Sequence, residues 1–492
     1  MGWKWLFGAI KGSRVKKGMS LYNTLGRIKE PFSLPPYVRE VRMYNCGPTV
    51  YGIQHIGNLS MFVFTDILRR TLEYNGFEVK QVINFTDFGH LTSDQDEGED
   101  KMMKGLAREG LQPTLENMLE MGKKYAGIFK NDLRGLNVNV DAITFPFASE
   151  YVPAQIAMIK SLEEKGYAYR TKSGVYFNTS NFPDYGKLGE IDLKGLRSGA
   201  RIALDPDKKN LTDFTLWKAG TTLGWDSPWG KGFPGWHIEC SAMINAILGK
   251  QIDIHTGGIE HIPVHHNNEI AQSEAATGKK PLSRFWMHRA HIQMDGAKIA
   301  KSEGNVVYLA DILQRGFHPI ALRYLFLGAH YRTPSNFTWD ALTAAQNAFL
   351  KLRRLVENHS RTGTAREKWQ DNVRDRINDD LDTPGALAAL WDMTKDSSLS
   401  IEDIRATILD ADKVLGLGLS APDKKAEELA TKAFGKAMPL SDVPEKIRAM
   451  VGERENARAD KNWERADELR GEIENEGYTI EDGGGSPRIF KR

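Results

Sequence analysis

The stretch Val38–Phe85, VREVRMYNCGPTVYGIQHIGNLSMFVFTDILRRTLEYNGFEVKQVINF, contains two strand-like segments separated by a turn and a helix. Residues 38–44 are short and compatible with a strand, and residues 79–85 have the apolar run of a buried strand. Gly76 stands where glycine commonly ends a helix. The apolar residues before it recur at helical spacing: Leu59, Val63, Ile67 and Leu72. This order predicts a βαβ unit and an α/β fold.

The four residues HIGN, His55 to Asn58, fall at the predicted start of this helix. In βαβ units, ligands bind beyond the carboxyl ends of the strands, next to the helix N-terminus. Unpaired backbone N–H groups and the helix dipole favour an anion there. Gly57 permits close approach of the backbone, and His55 and Asn58 add hydrogen-bond donors. From these residues alone, a phosphate site and a capped surface turn are both possible.

The rest of the chain divides into units by changes in its pattern. IDIHTGG, Ile252–Gly258, has the pattern of a returning strand, and HHNNEIAQSEAATG predicts a helix that ends at Gly278. Asp382, followed by threonine and proline, predicts the start of a later helix. The expected units are an N-terminal extension (1–18), the first half of a Rossmann-like nucleotide-binding domain (19–139), a turn-rich insertion (140–235), the second half (236–282), a connecting region (283–345), a helical domain (346–432) and a small α+β domain (433–492).

Composition narrows the class of protein. Among 492 residues, 66 basic and 64 acidic side chains give a formal charge of +2, which neither requires nor excludes a nucleic-acid partner. No apolar run reaches the roughly 18 residues that span a bilayer, so we expect no membrane association through a span. The basic N-terminus, residues 1–18, is interpreted as an upstream start or disordered tag, with a membrane-surface helix as the alternative.

The chain has two cysteines, Cys46 and Cys240. Without an export signal, they indicate a reducing, cytoplasmic compartment, where cysteines are often metal ligands or catalytic groups. His265 and Glu269 are four residues apart on a predicted helix and therefore project from one face. Two thiols, an imidazole and a carboxylate suit Zn²⁺. A surface pair on the helix and two buried apolar cysteines are the alternative.

A second charged motif lies in AKIAKSEGN, Ala297–Asn305, where Lys298 and Lys301 are three residues apart and Ser302 follows. Two cations and a hydroxyl on a short segment predict a phosphate clamp. A solvated surface loop is the alternative that this motif leaves open.

Together, the motifs resemble those of a known family. HIGN and KIAKS resemble the paired signature motifs of class I aminoacyl-tRNA synthetases. The match to the cysteinyl-tRNA synthetase family is more specific and runs in the same order from about Met19 to the C-terminus. It rests on these segments: YNCGPTVYGIQHIGN, GWHIECSAM, DIHTGGIEHIPVHHNNEIAQSEA, WMHRAHIQMDGAKIAKSEGN and DDLDTPGALAALWD.

The resemblance implies an enzyme that activates L-cysteine with ATP and Mg²⁺ and transfers it to the 3′ end of tRNA-Cys, and we expect it to act as a monomer. It implies one zinc ion per chain, held by Cys46, Cys240, His265 and Glu269. The implied cysteine pocket is formed by Thr86, Trp236 and His255. The implied catalytic and ATP-binding residues are His55, Gly57, Asn58, Gly257, Gly258, Glu260, Lys298, Lys301 and Ser302.

The same resemblance assigns the lysine loop and contact with the tRNA stem to residues 283–345, tRNA binding to the helical domain and anticodon binding to the C-terminal domain. Trp463, Arg465 and Arg470 of that domain could stack on bases and contact phosphates, although a solvated helix face explains them equally well.

The sequence also departs from the family pattern. Asn58 replaces a histidine, Ala300 a serine, Glu260 an aspartate and Asn267 a glutamate. An acidic segment lengthens the chain after Asp87, and we interpret it as a solvated loop, with metal binding as the alternative.

Two alternatives to the tRNA ligase remain at this point. One is a ligase of the same catalytic fold that joins cysteine to a small amine, and the other is a non-catalytic zinc protein that binds RNA. The helical and C-terminal units argue against the first alternative, and the intact lysine pair argues against the second.

Overall fold

The computed structural model describes residues 18–89, 100–190, 208–294, 297–298, 306–357, 363–481 and 487–491. Of residues 297–298 only the backbone is described. Residues 1–17 of the expected extension, the acidic residues 90–99 and the lysine-loop residues 299–305 lie outside these ranges.

The regular elements alternate between strands and helices in the first part of the chain and are mainly helical after residue 339. The strands are β1 (Ser20–Asn23), β2 (Ile28–Pro31), β3 (Glu40–Asn45), β4 (Glu78–Ile83), β5 (Ile143–Thr144), β6 (Ala168–Arg170), β7 (Gly174–Phe177), β8 (Phe214–Ala219), β9 (Gly232–Pro234), β10 (Ile252–Gly258), β11 (Ser283–Arg289), β12 (Ile292–Met294), β13 (Ala297–Lys298), β14 (Ser335–Phe337), β15 (Lys436–Met438), β16 (Tyr478–Glu481) and β17 (Arg488–Lys491).

The helices are α1 (Ile56–Tyr74), α2 (Lys101–Glu109), α3 (Leu115–Gly135), α4 (Val152–Glu164), α5 (Trp236–Ile247), α6 (His265–Thr277), α7 (Leu309–Gln314), α8 (Pro319–Leu327), α9 (Trp339–Val356), α10 (Glu367–Asn378), α11 (Thr383–Met393), α12 (Ile401–Leu415), α13 (Lys424–Phe434), α14 (Glu445–Ala459) and α15 (Trp463–Asn475). None of these described helices has the length and apolarity that crossing a lipid bilayer requires.

A parallel sheet with the strand order β11-β10-β3-β4-β5 lies at the centre of the first part of the chain. The predicted βαβ unit is confirmed as β3, α1 and β4, and Gly76 follows α1 with a φ of 87°. The carboxyl ends of β3 and β10 are neighbours, since Asn45 pairs with Thr256. Ligands of such sheets bind at this edge.

The sheet extends beyond the ranges expected for the two halves of the nucleotide-binding domain. Its edge strand β5 starts at Ile143, inside the range expected for the insertion, and pairs with β4. Its other edge strand, β11, starts at Ser283 and pairs with β10. The short β5 is stabilised by pairing with a distant segment, which local sequence does not reveal.

Between β5 and β10 in the chain, the strands β6 to β9 form a separate antiparallel sheet in the order β6-β7-β8-β9. Its apolar residues join the main core; Trp217, for example, is fully buried. After β11, the strands β12, β13 and β14 form a small sheet that leads into the helices.

A buried ion pair joins helix α1, which follows β3 of the parallel sheet, to helix α8. Asp66 on α1 accepts a 2.6 Å hydrogen bond from Nη2 of Arg323 on α8. The same guanidinium donates to the carbonyl oxygens of Leu136 and Leu415. The start of α11 is as predicted, since Oδ1 of Asp382 accepts from the N–H of Gly385.

The C-terminal part has its own small core. Helices α14 and α15 pack against the sheet β15-β17-β16. Its buried residues are Val443, Ile447, Val451, Ile473, Tyr478, Ile480 and Ile489.

Candidate functional site

Cys46 follows β3 directly, at the carboxyl edge of the sheet. Its N–H donates to the carbonyl oxygen of Thr256 at 3.1 Å, which continues the pairing of β3 with β10. The next residue, Gly47, donates from its N–H to Oδ1 of Asn84 at 2.9 Å. A Cβ at Gly47 would lie 1.6 Å from the carbonyl oxygen of Asn84, so only glycine fits there without a shift of the backbone. The thiol is thereby held at the end of the strand.

Two helices bring three further side chains to this thiol. Cys240 lies in the second turn of α5, and His265 and Glu269 lie one turn apart in α6. All four side chains are buried, and their ligand atoms lie within 4.8 Å of one another. The structure therefore brings together the four predicted metal ligands, which we call the CCHE cluster.

The individual separations within the CCHE cluster are short. Sγ of Cys46 lies 3.6 Å from Oε1 of Glu269, and Sγ of Cys240 lies 3.7 Å from Nε2 of His265. Nε2 of His265 lies 2.9 Å from Oε1 of Glu269. One ion between these atoms could contact all four side chains.

A second set of possible ligands shares two members with the CCHE cluster. His255 and His266 combine with Cys46 and Glu269 into another group whose ligand atoms lie within 4.8 Å. Nε2 of His266 lies 3.3 Å from Sγ of Cys46, and its Nδ1 lies 2.8 Å from Nε2 of His288. The residues could thus hold a metal ion in one of two neighbouring arrangements.

Further hydrogen bonds orient the cluster. Nε2 of His255 lies 2.9 Å from Oε2 of Glu269, and Nδ1 of His237 lies 2.8 Å from Nδ1 of His265. The ring of His255 also stacks on Trp286 at 4.4 Å. Such outer contacts fix the orientation of ligand side chains.

Protons are shared unequally within the cluster. The Cys240 thiol has a hydrogen bond with Cys46, and this bond, helped by the nearby His265, lowers the pKa of Cys240 to about 6 despite burial. Burial, followed by the hydrogen bond with Cys240, raises the pKa of Cys46 well above its usual value. Burial opposes the charge of Glu269, but His255 and His265 hold the pKa of this carboxyl well below its usual range. A thiolate and a carboxylate therefore face one point, which favours a cation.

The fourth member of the cluster, His265, is affected in the opposite sense. Burial disfavours its charged form, yet the negative charge of Glu269 and the hydrogen bond with Cys240 raise its pKa to about 10. These anionic neighbours therefore also favour positive charge on the imidazole of His265.

A cavity of about 570 Å³ opens beside the cluster at the carboxyl edge of the sheet. Its wall includes Cys46 from the cluster and several predicted site residues. These residues are His55, Gly57, Asn58, Trp236, Gly258 and Glu260. The cavity therefore joins the predicted nucleotide residues to the candidate metal centre.

The HIGN segment forms the N-terminus of α1, as predicted. His55 is the N-cap, and its Nδ1 accepts a hydrogen bond from the N–H of Asn58 at 3.3 Å. On β10, Gly257 lies against two imidazoles. A Cβ at Gly257 would lie 2.6 Å from both Nδ1 of His261 and Cε1 of His266.

The three residues predicted for the cysteine pocket occupy different places. Trp236 lines the cavity, and its ring lies 4.2 Å from that of His265. Thr86 is buried and donates from Oγ1 to Oε2 of Glu239 at 2.7 Å. His255 is buried, and its Nε2 contacts Oε2 of Glu269 in the cluster. Of the lysine motif, Lys301 and Ser302 lie outside the described residues, and only the backbone of Lys298, in β13, is described.

Sequence reasoning missed several residues of this site. His237, His261 and His266 surround the cluster, and Arg289 and Lys101 line the cavity. The sequence did contain a signal for these three histidines. They are a quarter of the 12 histidines in the chain and lie near the predicted ligands Cys240 and His265, which suggests outer contacts to a metal. For Arg289 the sequence held no comparable signal.

The three residues of the C-terminal domain that were predicted to contact tRNA differ in their surroundings. Trp463 is 59% exposed at the start of α15. Arg465 pairs with Glu468 and Glu472 on the same helix. Arg470 donates to the carbonyl oxygen of Ile480 and lines a second cavity of about 410 Å³ between the helical and C-terminal parts.

Comparison with known proteins agrees with this geometry. The family described as "tRNA synthetases class I (C) catalytic domain" matches residues 34–347, and the "Cysteinyl-tRNA ligase anticodon binding domain" matches residues 440–487. The chain is 44% identical over 478 residues to cysteine–tRNA ligase 1 of Burkholderia lata, covering 96% of this chain and 97% of that protein. It is 39% identical over 498 residues to cysteine–tRNA ligase of Treponema denticola, covering 95% and 98%.

Among solved structures, methionyl-tRNA synthetase of Mycobacterium tuberculosis in complex with methionyl-adenylate has a similar fold. The TM-score is 0.55 at 14% identity, with 80% of this chain and 93% of that chain covered. The catalytic architecture is thus that of a class I synthetase, as predicted. The extent of the family match and the identity along nearly the whole length show that the chain belongs to the cysteinyl-tRNA synthetase family.

Proposed function

We propose that this chain is a cysteine–tRNA ligase that forms cysteinyl-adenylate from L-cysteine and ATP and then transfers the cysteinyl group to the 3′ end of tRNA-Cys. The observation that supports this most directly is the position of the CCHE cluster at one end of the cavity that HIGN borders. A substrate thiol at the cluster places the carboxylate of the same amino acid on the side of the cavity where the nucleotide residues lie. Membership of the family supports both steps.

We assign Zn²⁺ to the CCHE set rather than to the set with His255 and His266. Two sulfurs, one imidazole nitrogen and one carboxylate oxygen are the donors that Zn²⁺ prefers, at about 2.3 Å for sulfur and about 2.0–2.2 Å for the others. Ligand atoms at such distances lie roughly 3.6 Å apart, close to the 3.6 and 3.7 Å of the two sulfur contacts. Zn²⁺ bound there supplies a soft Lewis acid that prefers a substrate thiolate to the hydroxyl of serine.

The adenylation step needs positioning and charge stabilisation more than acid–base chemistry. The cysteine carboxylate is already ionised when it attacks the α-phosphorus of ATP, and pyrophosphate leaves. We assign the phosphates, with Mg²⁺, to the N-terminus of α1, where His55 and Asn58 add donors. Gly257, Gly258 and Glu260 contact the nucleotide. Lys298 and Lys301, with Ser302, close over the phosphates as charge develops there.

Discrimination against serine follows from the metal contact. An apolar pocket separates substrates that differ by one small group by only about 1–3 kcal/mol, whereas a dedicated polar contact reaches about 10⁴–10⁵-fold. Trp236 forms the wall of the cysteine pocket, and Thr86 and His255 hold the groups behind it. No separate hydrolytic editing of seryl products is then required.

We assign anticodon binding to the C-terminal part. Trp463 is exposed for stacking, and the second cavity is lined by cations that suit tRNA phosphates: Lys351, Arg470 and Arg488. Because Arg465 is paired with two carboxylates, it contributes less than Arg470 to this surface.

We also propose that the enzyme acts as a monomer in the cytoplasm. One chain supplies all four members of the CCHE cluster, so the candidate centre is complete without a second copy. A centre built from two thiols also requires a reducing compartment. Light scattering during size-exclusion chromatography measures the oligomeric state.

The deciding experiment measures cysteine-dependent ATP–pyrophosphate exchange, charging of tRNA-Cys and metal content on the same zinc-loaded preparation. We expect one zinc per chain, exchange with cysteine, little exchange with serine, and charging of the tRNA. Exchange without charging would instead indicate a small amine acceptor. Absence of exchange from zinc-loaded protein would refute the ligase assignment and favour a non-catalytic zinc protein that binds RNA.

A further inference from the structure

Arg289 is a buried cation that lines the cavity beside the residues proposed to bind the nucleotide. It is the last residue of β11 and pairs in register with Gly258, the last residue of β10. Its side chain is only 6% exposed, yet it lines the cavity. The guanidinium therefore lies at the carboxyl edge of the sheet, beside residues assigned to the nucleotide.

A chain of hydrogen bonds connects Arg289 with the first turn of α1. Its Nε donates to Oγ of Ser60 at 2.9 Å, and this hydroxyl donates to the carbonyl oxygen of Gly57 at 2.7 Å. The guanidinium also lies 5.8 Å above the ring of Phe326. These contacts fix the direction of the side chain beside the HIGN segment.

Within the described residues, no carboxylate lies within 4.0 Å of Arg289, and its two terminal nitrogens have no hydrogen-bond partner. The terminal nitrogens are not sealed from the cavity. Four other buried arginines have a carboxylate partner: Arg69 with Glu73, Arg323 with Asp66, Arg353 with Glu357 and Arg454 with Glu455.

An unpaired buried cation is costly, because burial removes water without supplying an opposite charge. Burial lowers the pKa of Arg289 to about 10, which still leaves the guanidinium charged at neutral pH. Glu260, the acidic residue on the same cavity wall, instead lies 3.6 Å from Nδ1 of His291. No described residue therefore compensates the charge of Arg289, and an anionic ligand in the cavity would do so.

We propose that Arg289 is a phosphate-binding residue of the nucleotide site, whose terminal nitrogens donate hydrogen bonds to the phosphate groups of ATP. This assignment rests on the proposed function for the identity of the nucleotide. Arginine suits the role because its planar fork matches two phosphate oxygens at once. The contact supplements HIGN and the lysine loop and adds charge on the side of the cavity formed by β11.

The test compares the binding of adenosine with that of AMP, since the two ligands differ by the phosphate alone. The variants are Arg289→Gln, which removes the charge, and Arg289→Lys, which keeps it. The matched control is Arg284→Gln on the same strand, where the wild-type side chain is 39% exposed and pairs with Asp253. Titration calorimetry gives both dissociation constants for each zinc-loaded protein.

Because hydrogen bonds to charged groups contribute about 1.5–3 kcal/mol, we expect Arg289→Gln to weaken AMP binding about 10- to 100-fold. Adenosine binding should change less than about threefold, and Arg284→Gln should leave both constants unchanged. The KM for ATP in pyrophosphate exchange should rise with the constant for AMP. Arg289→Lys should lose less AMP affinity than Arg289→Gln, because it keeps the charge. If Arg289→Gln does not fold, Arg289→Met takes its place, and an unchanged AMP-to-adenosine ratio in that variant overturns the proposal.

Equal weakening of adenosine and AMP would overturn the proposal and assign Arg289 to the nucleoside or to packing. Unchanged AMP binding and exchange with slower transfer to tRNA would overturn it in favour of a tRNA phosphate. The AMP-to-adenosine ratio does not depend on which amino acid is activated. Failure of wild-type protein to exchange with cysteine would therefore refute the proposed function without deciding the role of Arg289.

Discussion

Nε2 of His255 lies 2.9 Å from Oε2 of Glu269, while Oε1 of the same carboxylate faces His265 at 2.9 Å. One oxygen of Glu269 is thus held by the sheet, and the other is directed into the CCHE cluster. His255 itself is fully buried and packed against Trp286. It therefore orients Glu269, which we propose as a ligand of Zn²⁺.

Replacing His255 should weaken metal binding without removing any ligand of the CCHE cluster. We expect His255→Ala to lower zinc affinity about 10- to 100-fold, as is usual for outer contacts of metal sites, and His255→Gln to lose less. Competition with a chelator measures the affinity. His291→Gln, at a cavity residue beside Glu260, serves as the control. Wild-type affinity in His255→Ala would contradict this role.

Cys240→Ser should remove most of the bound metal, because an alcohol oxygen is a poor substitute for the thiolate. The pKa of the Cys240 thiol is about 6, so the sulfur is anionic at neutral pH. Zinc content, measured by atomic emission, should fall well below one ion per chain. The preference for cysteine over serine in pyrophosphate exchange should fall by about 100-fold or more. Retention of both properties would exclude Cys240 as a ligand.

Lys301→Ala should reduce the rate of pyrophosphate exchange about 10²- to 10³-fold, the usual effect of removing one group that stabilises transition-state charge. Its effect on cysteine binding should stay below about threefold, since the lysine contacts phosphates in the proposed mechanism. Stopped-flow exchange and equilibrium dialysis measure the two quantities. Lys279→Ala, at an exposed residue after α6, is the control. Parallel losses of binding and rate would argue against the clamp.

Asp87→Asn should flatten the dependence of stability on pH. Burial raises the pKa of Asp87 to about 6 despite two hydrogen bonds from Ser149. The folded state therefore binds this proton more tightly than the unfolded state, whose pKa is about 3.9, so stability falls as pH rises from about 4 to about 6. The loss approaches about 3 kcal/mol. Thermal unfolding between these pH values should show a smaller slope for the variant; identical slopes would contradict the assignment.

Asp66→Ala should destabilise the junction between the catalytic sheet and the helical part. The substitution leaves Arg323, which is fully buried, without its carboxylate, and this typically costs about 3–5 kcal/mol. Glu476→Ala removes a carboxylate 44% exposed and 2.6 Å from Lys446 and should cost less than about 1 kcal/mol. Thermal unfolding midpoints distinguish the two cases. Equal midpoints for both variants would contradict the prediction.

The parts of the fold that local pattern controls could be predicted from sequence. The strand at Ile252–Gly258 and the helix before Gly278 have the expected bounds, because their periodicity and the terminal glycine act locally. The strand β5 could not be predicted, because its two residues depend on pairing with β4. The sequence pattern predicted no strand at the position of β11 and placed these residues in the later region 283–345. The pairing of β11 with β10 assigns them to the central sheet instead.

The candidate site divides in a similar way. Helical spacing brought His265 and Glu269 to one face, and the scarcity of cysteine pointed to Cys46 and Cys240. The adjacent His266 also lies 3.3 Å from Sγ of Cys46. The sequence could not predict this contact, because it depends on how α6 packs against β3. The burial of Arg289 depends likewise on the packing of β11 against α1, so its isolated charge was invisible in the sequence.

Cys46 and Glu269, which meet in the CCHE cluster, are 223 residues apart in the chain. During synthesis at about 5–20 residues per second, roughly 10 to 45 s pass between the translation of these two residues. Until Cys240 is translated, the ribosome-bound chain has a thiol at the end of β3 and none of the helix-borne partners that would hold an ion beside it. Metal capture is therefore a late event in biogenesis, and oxidants can reach this sulfur most easily in the newborn polypeptide.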